Sequence, residues 1–109
     1  MAFNEQLAQR IRNILSDNPS LIEKKMFGGV GFLLLGNMIC GVNQGDLIVR
    51  VGPDKHAEAL SQPYTRVFDI TGKPMSGWVL VSAEGCSSNE KLQKWVLLAL
   101  DYVQTLPPK

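Results

Sequence analysis

The stretch from Leu21 to Val51 constrains this chain more than any other. Four β-rich runs stand there, separated by short loops rich in Gly and Asn. Gly28-Gly29 divides Ile22–Phe27 from Val30–Leu35. Gly36-Asn37 divides that run from Met38–Val42, and Asn43-Gln44-Gly45 leads into Asp46–Val51. Gly and Asn accept positive φ, so loops of this kind between β-rich runs are hairpin signals. The pattern predicts four consecutive antiparallel strands.

Helical signals flank this meander. Asn4 can cap a first helix, in which Leu7, Ile11, Ile14 and Leu15 recur at helical spacing until Asp17-Asn18-Pro19-Ser20 ends it. Beyond the meander, Gly52-Pro53-Asp54 breaks the sheet and opens a short helix, Lys55–Leu60. Arg66–Ile70 reads as a strand, Thr71-Gly72-Lys73-Pro74 as a turn, and Gly77–Val81 as a sixth strand. Ser87-Ser88-Asn89-Glu90 fits a capping box, with the Ser87 hydroxyl serving the Glu90 N–H. The helix it opens carries Leu92, Trp95, Val96, Ala99, Val103 and Leu106 on one stripe and stops at Pro107-Pro108. The order α-ββββ-α-ββ-α predicts an α+β fold of two layers, an antiparallel sheet with helices on one face. Hydrophobic residues are 45% and charged residues 19% of 109, an ordinary globular composition, and residues 1–109 read as one domain.

Eleven basic and ten acidic residues leave a net charge of +1. That balance argues against a strongly basic nucleic-acid binder and against an acidic tail protein. The N-terminus has no basic and apolar leader, and the longest apolar run, Trp95 to Leu100, is far short of the ~20 residues of a membrane span. A cytoplasmic protein with no membrane partner is expected. Cys40 and Cys86 are then thiols, and Cys40 lies in an apolar strand pattern and reads as core.

Few residues point to chemistry. Gly28-Gly29-Val30-Gly31 lacks the lysine and hydroxyl of a phosphate loop and reads as a hairpin turn. His56 is the only histidine and reads as solvated on the short helix. Cys86 stands just before a helix N-terminus, where the dipole favours a thiolate, but nothing in the sequence orients His56 to serve it. No catalytic, cofactor or metal residues are expected. Lys24, Lys25, Arg50, Arg66 and Lys73 are the basic residues of the sheet region. On alternating strands they can share a face, and Lys25, Arg50, Arg66 and Lys73 are the candidates for an anion or partner contact. Trp78 and Trp95 read as core, since neither sits in a basic run. Val30, Phe32 and Leu34 alternate with Leu33 and Leu35, and Leu97, Leu98 and Leu100 lie off the last helix's stripe. This surplus apolar surface predicts a homo-oligomer.

Several blocks resemble the N-terminal domain of the TfoX/Sxy family. They are Lys25-Met26-Phe27-Gly28-Gly29-Val30-Gly31-Phe32, then Gly36-Asn37-Met38, then Leu47-Ile48-Val49-Arg50-Val51-Gly52, then Gly72-Lys73-Pro74-Met75-Ser76-Gly77-Trp78-Val79 with Val81. Trp95 and the closing Leu106-Pro107-Pro108-Lys109 also match, so the resemblance spans residues 22 to 109 in a stand-alone form. It implies a two-layer α/β sheet related to secretion-chaperone-like domains. It also implies a role in regulating bacterial competence, beside a cyclic-AMP-dependent activator at promoters and without catalysis. Two-domain members carry a second, C-terminal domain. The expected function is a non-enzymatic regulatory or protein-interaction domain whose partner is a protein, in the family's case a transcription regulator. The alternatives are direct nucleic-acid binding through the basic sheet face and a small thiol-dependent enzyme using Cys86. Tight duplex DNA binding is not expected, because adjacent Lys24 and Lys25 point to opposite faces of a strand.

Overall fold

The computed structural model describes residues 5–26, 29–68 and 76–108. The first apolar stripe folds as α1 (Glu5–Ile14), which buries Leu7, Ala8 and Ile11. The meander follows as β1 (Leu21–Met26), β2 (Gly29–Leu34), β3 (Asn37–Asn43) and β4 (Asp46–Arg50). A 3-10 turn, Pro53–Lys55, leads into α2 (His56–Leu60). Then come β5 (Thr65–Val67), β6 (Trp78–Val81), a second 3-10 turn at Ala83–Cys86 and α3 (Asn89–Val103). This is an α+β fold in the expected order. The Asn4 cap, the 71–74 turn and the end of the expected strand at Ile70 lie outside the described residues.

All strands belong to one antiparallel sheet of order β1-β2-β3-β4-β6-β5. The meander is laid down in chain order. The chain then passes through α2 to β5, and β6 inserts between β4 and β5. The helices cover one face. Leu7 and Ile11 of α1, Ala59 of α2 and Leu92, Trp95, Val96 and Val103 of α3 share a core with Phe32, Cys40, Leu47, Val49, Val79 and Val81. The opposite face carries a smaller cluster of Met38, Ile48, Phe68 and Leu80, with Leu33 and Trp78 packed against it.

Three local features differ from the sequence expectation. The β2–β3 turn is Leu35-Gly36, both at positive φ (52° and 87°), and Asn37 is already in the strand. Paired positive φ matches the right-handed twist of the strands, which is why the turn tolerates a leucine there. The β2–β3 register also slips between Phe32↔Cys40 and Leu33↔Met38, leaving Ile39 as an extra residue. Such a bulge lets two consecutive side chains serve one face, and both Ile39 and Cys40 lie in the larger core. Finally, the cap of α3 is Ser88. Its hydroxyl accepts from the Lys91 N–H at 3.1 Å, while Ser87 donates to the Glu84 carbonyl at 3.3 Å. The third position after this cap is Lys91, so the reciprocal Glu90 bond of a capping box does not form.

Candidate docking groove and the placement of the basic residues

Between α2 and α3 the surface opens into a groove of about 610 Å³. Trp95 forms its floor, with Leu98 beside it and Ala59 of α2 opposite. Trp95 is nearly buried, yet Tyr64 and Leu97 on the walls are 52% and 40% exposed. Lys91, Lys94, Trp95, Leu98 and Asp101 line the groove from α3 at helical spacing, so the groove follows one face of that helix over about 15 Å. Lys91 and Lys94 stand in the first turns of α3, where the helix dipole adds positive potential. Neither they nor Lys55, on the other wall, has an ion pair among the described residues. Glu58 and Asp101 supply the negative groups.

Tyr64 holds an unusual backbone, with φ at 68°. A bulky residue there costs of order 1–3 kcal/mol and persists only when its surroundings over-determine it. Here the Tyr64 carbonyl accepts from the Ser82 N–H at 2.9 Å and the Ser82 hydroxyl at 3.3 Å, while Gly85 closes in beneath its Cβ. The groove wall is thus held by the β5–β6 pairing and the following turn. Sequence reading found the surplus apolar residues of α3 but missed Tyr64 and the lysines beside them. The off-stripe Leu97 and Leu98 were the available signal.

The candidate basic residues do not converge. Lys25 lies on edge strand β1 opposite Val30, and Arg66 on the other edge strand, β5, opposite Leu80. Five strand spacings separate the two edges, roughly 24 Å. Val30 belongs to the helix-side core and Leu80 to the opposite cluster, so Lys25 also points to a different face from Arg66. Arg66 is engaged with Asp46 at 2.7 Å. Arg50 shares Arg66's face, and its guanidinium carbon lies 5.2 Å from the Trp78 ring centroid and 5.7 Å from that of Tyr102. Trp78 in turn stacks on Phe68. It is therefore half core and half platform, where a plain core residue was expected. Lys73 lies outside the described residues.

The thiol groups are not presented for reaction. Cys40 and Cys86 are free and buried. Burial pushes the Cys40 thiol up to about 12. Cys86 ends the 3-10 turn and donates weakly to the Ser82 carbonyl at 3.6 Å. Its thiol is also raised, first by burial, against the opposing charge of Arg10. The expected helix-dipole activation is overridden by desolvation. His56 is half-buried rather than solvated, and its Nε2 is buried with no hydrogen-bond partner, Cys86 included. Among the described residues no group of three His, Cys, Asp or Glu side chains is placed to hold a metal. No helix among them is long and apolar enough to cross a membrane.

Residues 13–103 match the TfoX N-terminal domain. That stretch takes in every described strand, the groove and the whole of α3. The chain belongs to the TfoX N-terminal domain family. No curated protein matches it. The TfoX N-terminal domain is a regulatory domain family. The glycines of the family-like blocks have physical tasks in this member. Gly52 and Gly77 sit at φ 88° and 89°, and the Gly77 carbonyl accepts from the N–H groups of both Val51 and Gly52. A Cβ on Gly52 would lie 2.5 Å from the Tyr102 ring.

Proposed function

We propose that this TfoX N-terminal domain is a non-enzymatic interaction module acting in the cytoplasm. Its partner protein inserts a short apolar segment, ending in an acidic residue, into the groove between α2 and α3. The single observation that carries this reading is the groove itself, an apolar trough with a tryptophan floor and two unpaired lysines at one end. Protein recognition sites concentrate their energy in such aromatic-floored pockets within a polar rim. The strained Tyr64 on its wall supports the same reading, since strain of this kind clusters at binding sites. Lys91, Lys94 and the start of α3 favour an acidic residue at that end, whereas Asp101 disfavours one at the other. The family resemblance makes a transcription regulator the partner of choice.

The test compares the wild-type chain with a Lys91→Glu/Lys94→Glu variant that keeps its folded spectrum. A captured partner should be lost on charge reversal and recovered when its own acidic residue is changed to lysine. Identical capture by both proteins would remove the groove from consideration. Concentration-dependent dimerisation that the same charge reversal abolishes would instead place a second copy of this chain in the groove. Saturable, salt-sensitive binding to duplex DNA at or below about 1 μM would replace the reading with a nucleic-acid one.

A further inference from the structure

The chain has four arginines, and three are engaged through hydrogen bonds. Arg10 donates to the Ser87 carbonyl and to Asn89, Arg12 to Glu23, Glu5 and Gln9, and Arg66 to Asp46. Arg50 differs. Among the described residues its guanidinium has neither a hydrogen-bond acceptor nor an ion pair, and it lies over the rings of Trp78 and Tyr102. Ring contacts engage the faces of a guanidinium and leave its in-plane N–H donors unused. The position is fixed on both sides. Trp78 is the register partner of Arg50 and is stacked on Phe68, while Tyr102 is held on α3 against Gly52.

We propose that Arg50 is a carboxylate-binding fork that takes the side chain of an aspartate or glutamate from a partner protein. An arginine placed between two aromatic rings loses little freedom when its two parallel donors meet a planar carboxylate. The neighbouring charges select a monoanion. Asp54, Lys55 and Asp101 share a cleft of about 330 Å³ with Tyr102, and the single negative charge they leave disfavours a phosphate dianion more than a single carboxylate. The assignment stands on the arginine and its rings. It holds or fails independently of the α2–α3 groove.

The experiment follows the four arginine Nε–Hε resonances of the intact chain by NMR. It titrates a blocked Gly-Glu-Gly peptide and, separately, inorganic phosphate at matched ionic strength. The Arg50 resonance should move and saturate with the peptide at about 1–10 mM, while those of Arg10, Arg12 and Arg66 stay in place. In Arg50→Lys, which keeps the charge but loses the fork, the resonances of Trp78 should report binding weakened about tenfold. An Arg50 resonance that moves no more than the other three overturns the proposal. So does unchanged affinity in Arg50→Lys, or tighter binding of phosphate than of the peptide.

Discussion

The two faces of the sheet are closed by different means. On one face, α1 and α3 bring side chains from the two ends of the chain onto Phe32, Leu47 and Val49. On the other, Met38, Ile48, Phe68 and Leu80 form a buried cluster with Leu33 and Trp78 packed against it, and no described helix contributes. The charged and aromatic residues follow the same division. Arg50 and Arg66 lie across the second face, while Lys91 and Lys94 are confined to the rim of α3. A long amphipathic helix buries a strand face by itself. The second face, where no described helix lies, carries a smaller cluster of large side chains. The larger share of the buried core thus lies where the helices meet the sheet.

The largest test of this difference is a matched pair of truncations. Phe32 and Phe68 are both fully buried, one on each face. Phe32→Ala should cost about 3–5 kcal/mol, because a void between sheet and helices cannot close without moving a helix. Phe68→Ala should fall at the lower end, about 3 kcal/mol, because the flexible Met38 beside it can fill part of the space. Denaturant midpoints of the two variants measure the gap. A larger loss for Phe68→Ala would mean that the second face, not the first, holds the fold.

The helix-covered face is also the one the sequence shows most plainly. Leu92, Trp95, Val96, Ala99 and Val103 repeat at helical spacing, and Gly/Asn loops punctuate the strands, so element order and the covered face are readable without coordinates. Strand order is not, because no local signal in the sequence places β6 between β4 and β5. The bulge at Ile39 is invisible for a related reason: Met38-Ile39-Cys40 is apolar throughout and gives no alternation to fix its phase. The groove was half legible. Leu97 and Leu98 announced spare apolar surface, but the Tyr64 wall exists only because the segment before β5 and α3 line the same groove. The spacing of the basic residues is not legible, because alternation says which side of a strand a residue faces but not which edge of the sheet that strand occupies.

The joint between the faces is the next test. Gly52 follows β4, and Tyr102 of α3 packs against it while also meeting Arg50 on the far side. Gly52→Ala should cost about 2 kcal/mol, from positive φ together with a displaced Tyr102 ring. Gly45→Ala, where a Cβ meets nothing within 4 Å, should stay within about 0.5 kcal/mol of wild type. Thermal melts separate the two. Equal effects would mean that the Gly52–Tyr102 contact does not couple the faces.

A smaller effect checks the cap on the helix side. Ser88→Ala should cost about 1 kcal/mol, the usual loss for an N-cap hydroxyl. Ser87→Ala should stay within about 0.5 kcal/mol, since its hydroxyl serves only an exposed carbonyl. The reverse ranking by urea denaturation would restore the capping box at Ser87.

The smallest expected effect contrasts one ion pair from each face. Arg12 of α1 reaches Glu23 of β1 through two bonds, Nε and Nη2, each 2.6 Å, and so ties a helix to the sheet edge. Arg66 reaches Asp46 through one bond of 2.7 Å, from strand to strand. Both pairs are partly exposed, so each contributes modestly, but the bidentate geometry favours the first. Glu23→Gln should cost about 0.5–1 kcal/mol at neutral pH and Asp46→Asn less than about 0.5 kcal/mol. The first loss should depend on pH. The Arg12 hydrogen bond holds the Glu23 carboxyl below its ordinary value of 4.5. In the unfolded chain that carboxyl takes up its proton first, so the native advantage is complete above the ordinary value and fades as pH falls through the depressed one. Glu23→Gln and wild type should therefore converge in stability in strong acid and diverge to a plateau above about pH 5. A gap between them that is constant from acid to neutral pH would show that the charge of Glu23 contributes nothing, and that helix burial alone joins α1 to β1.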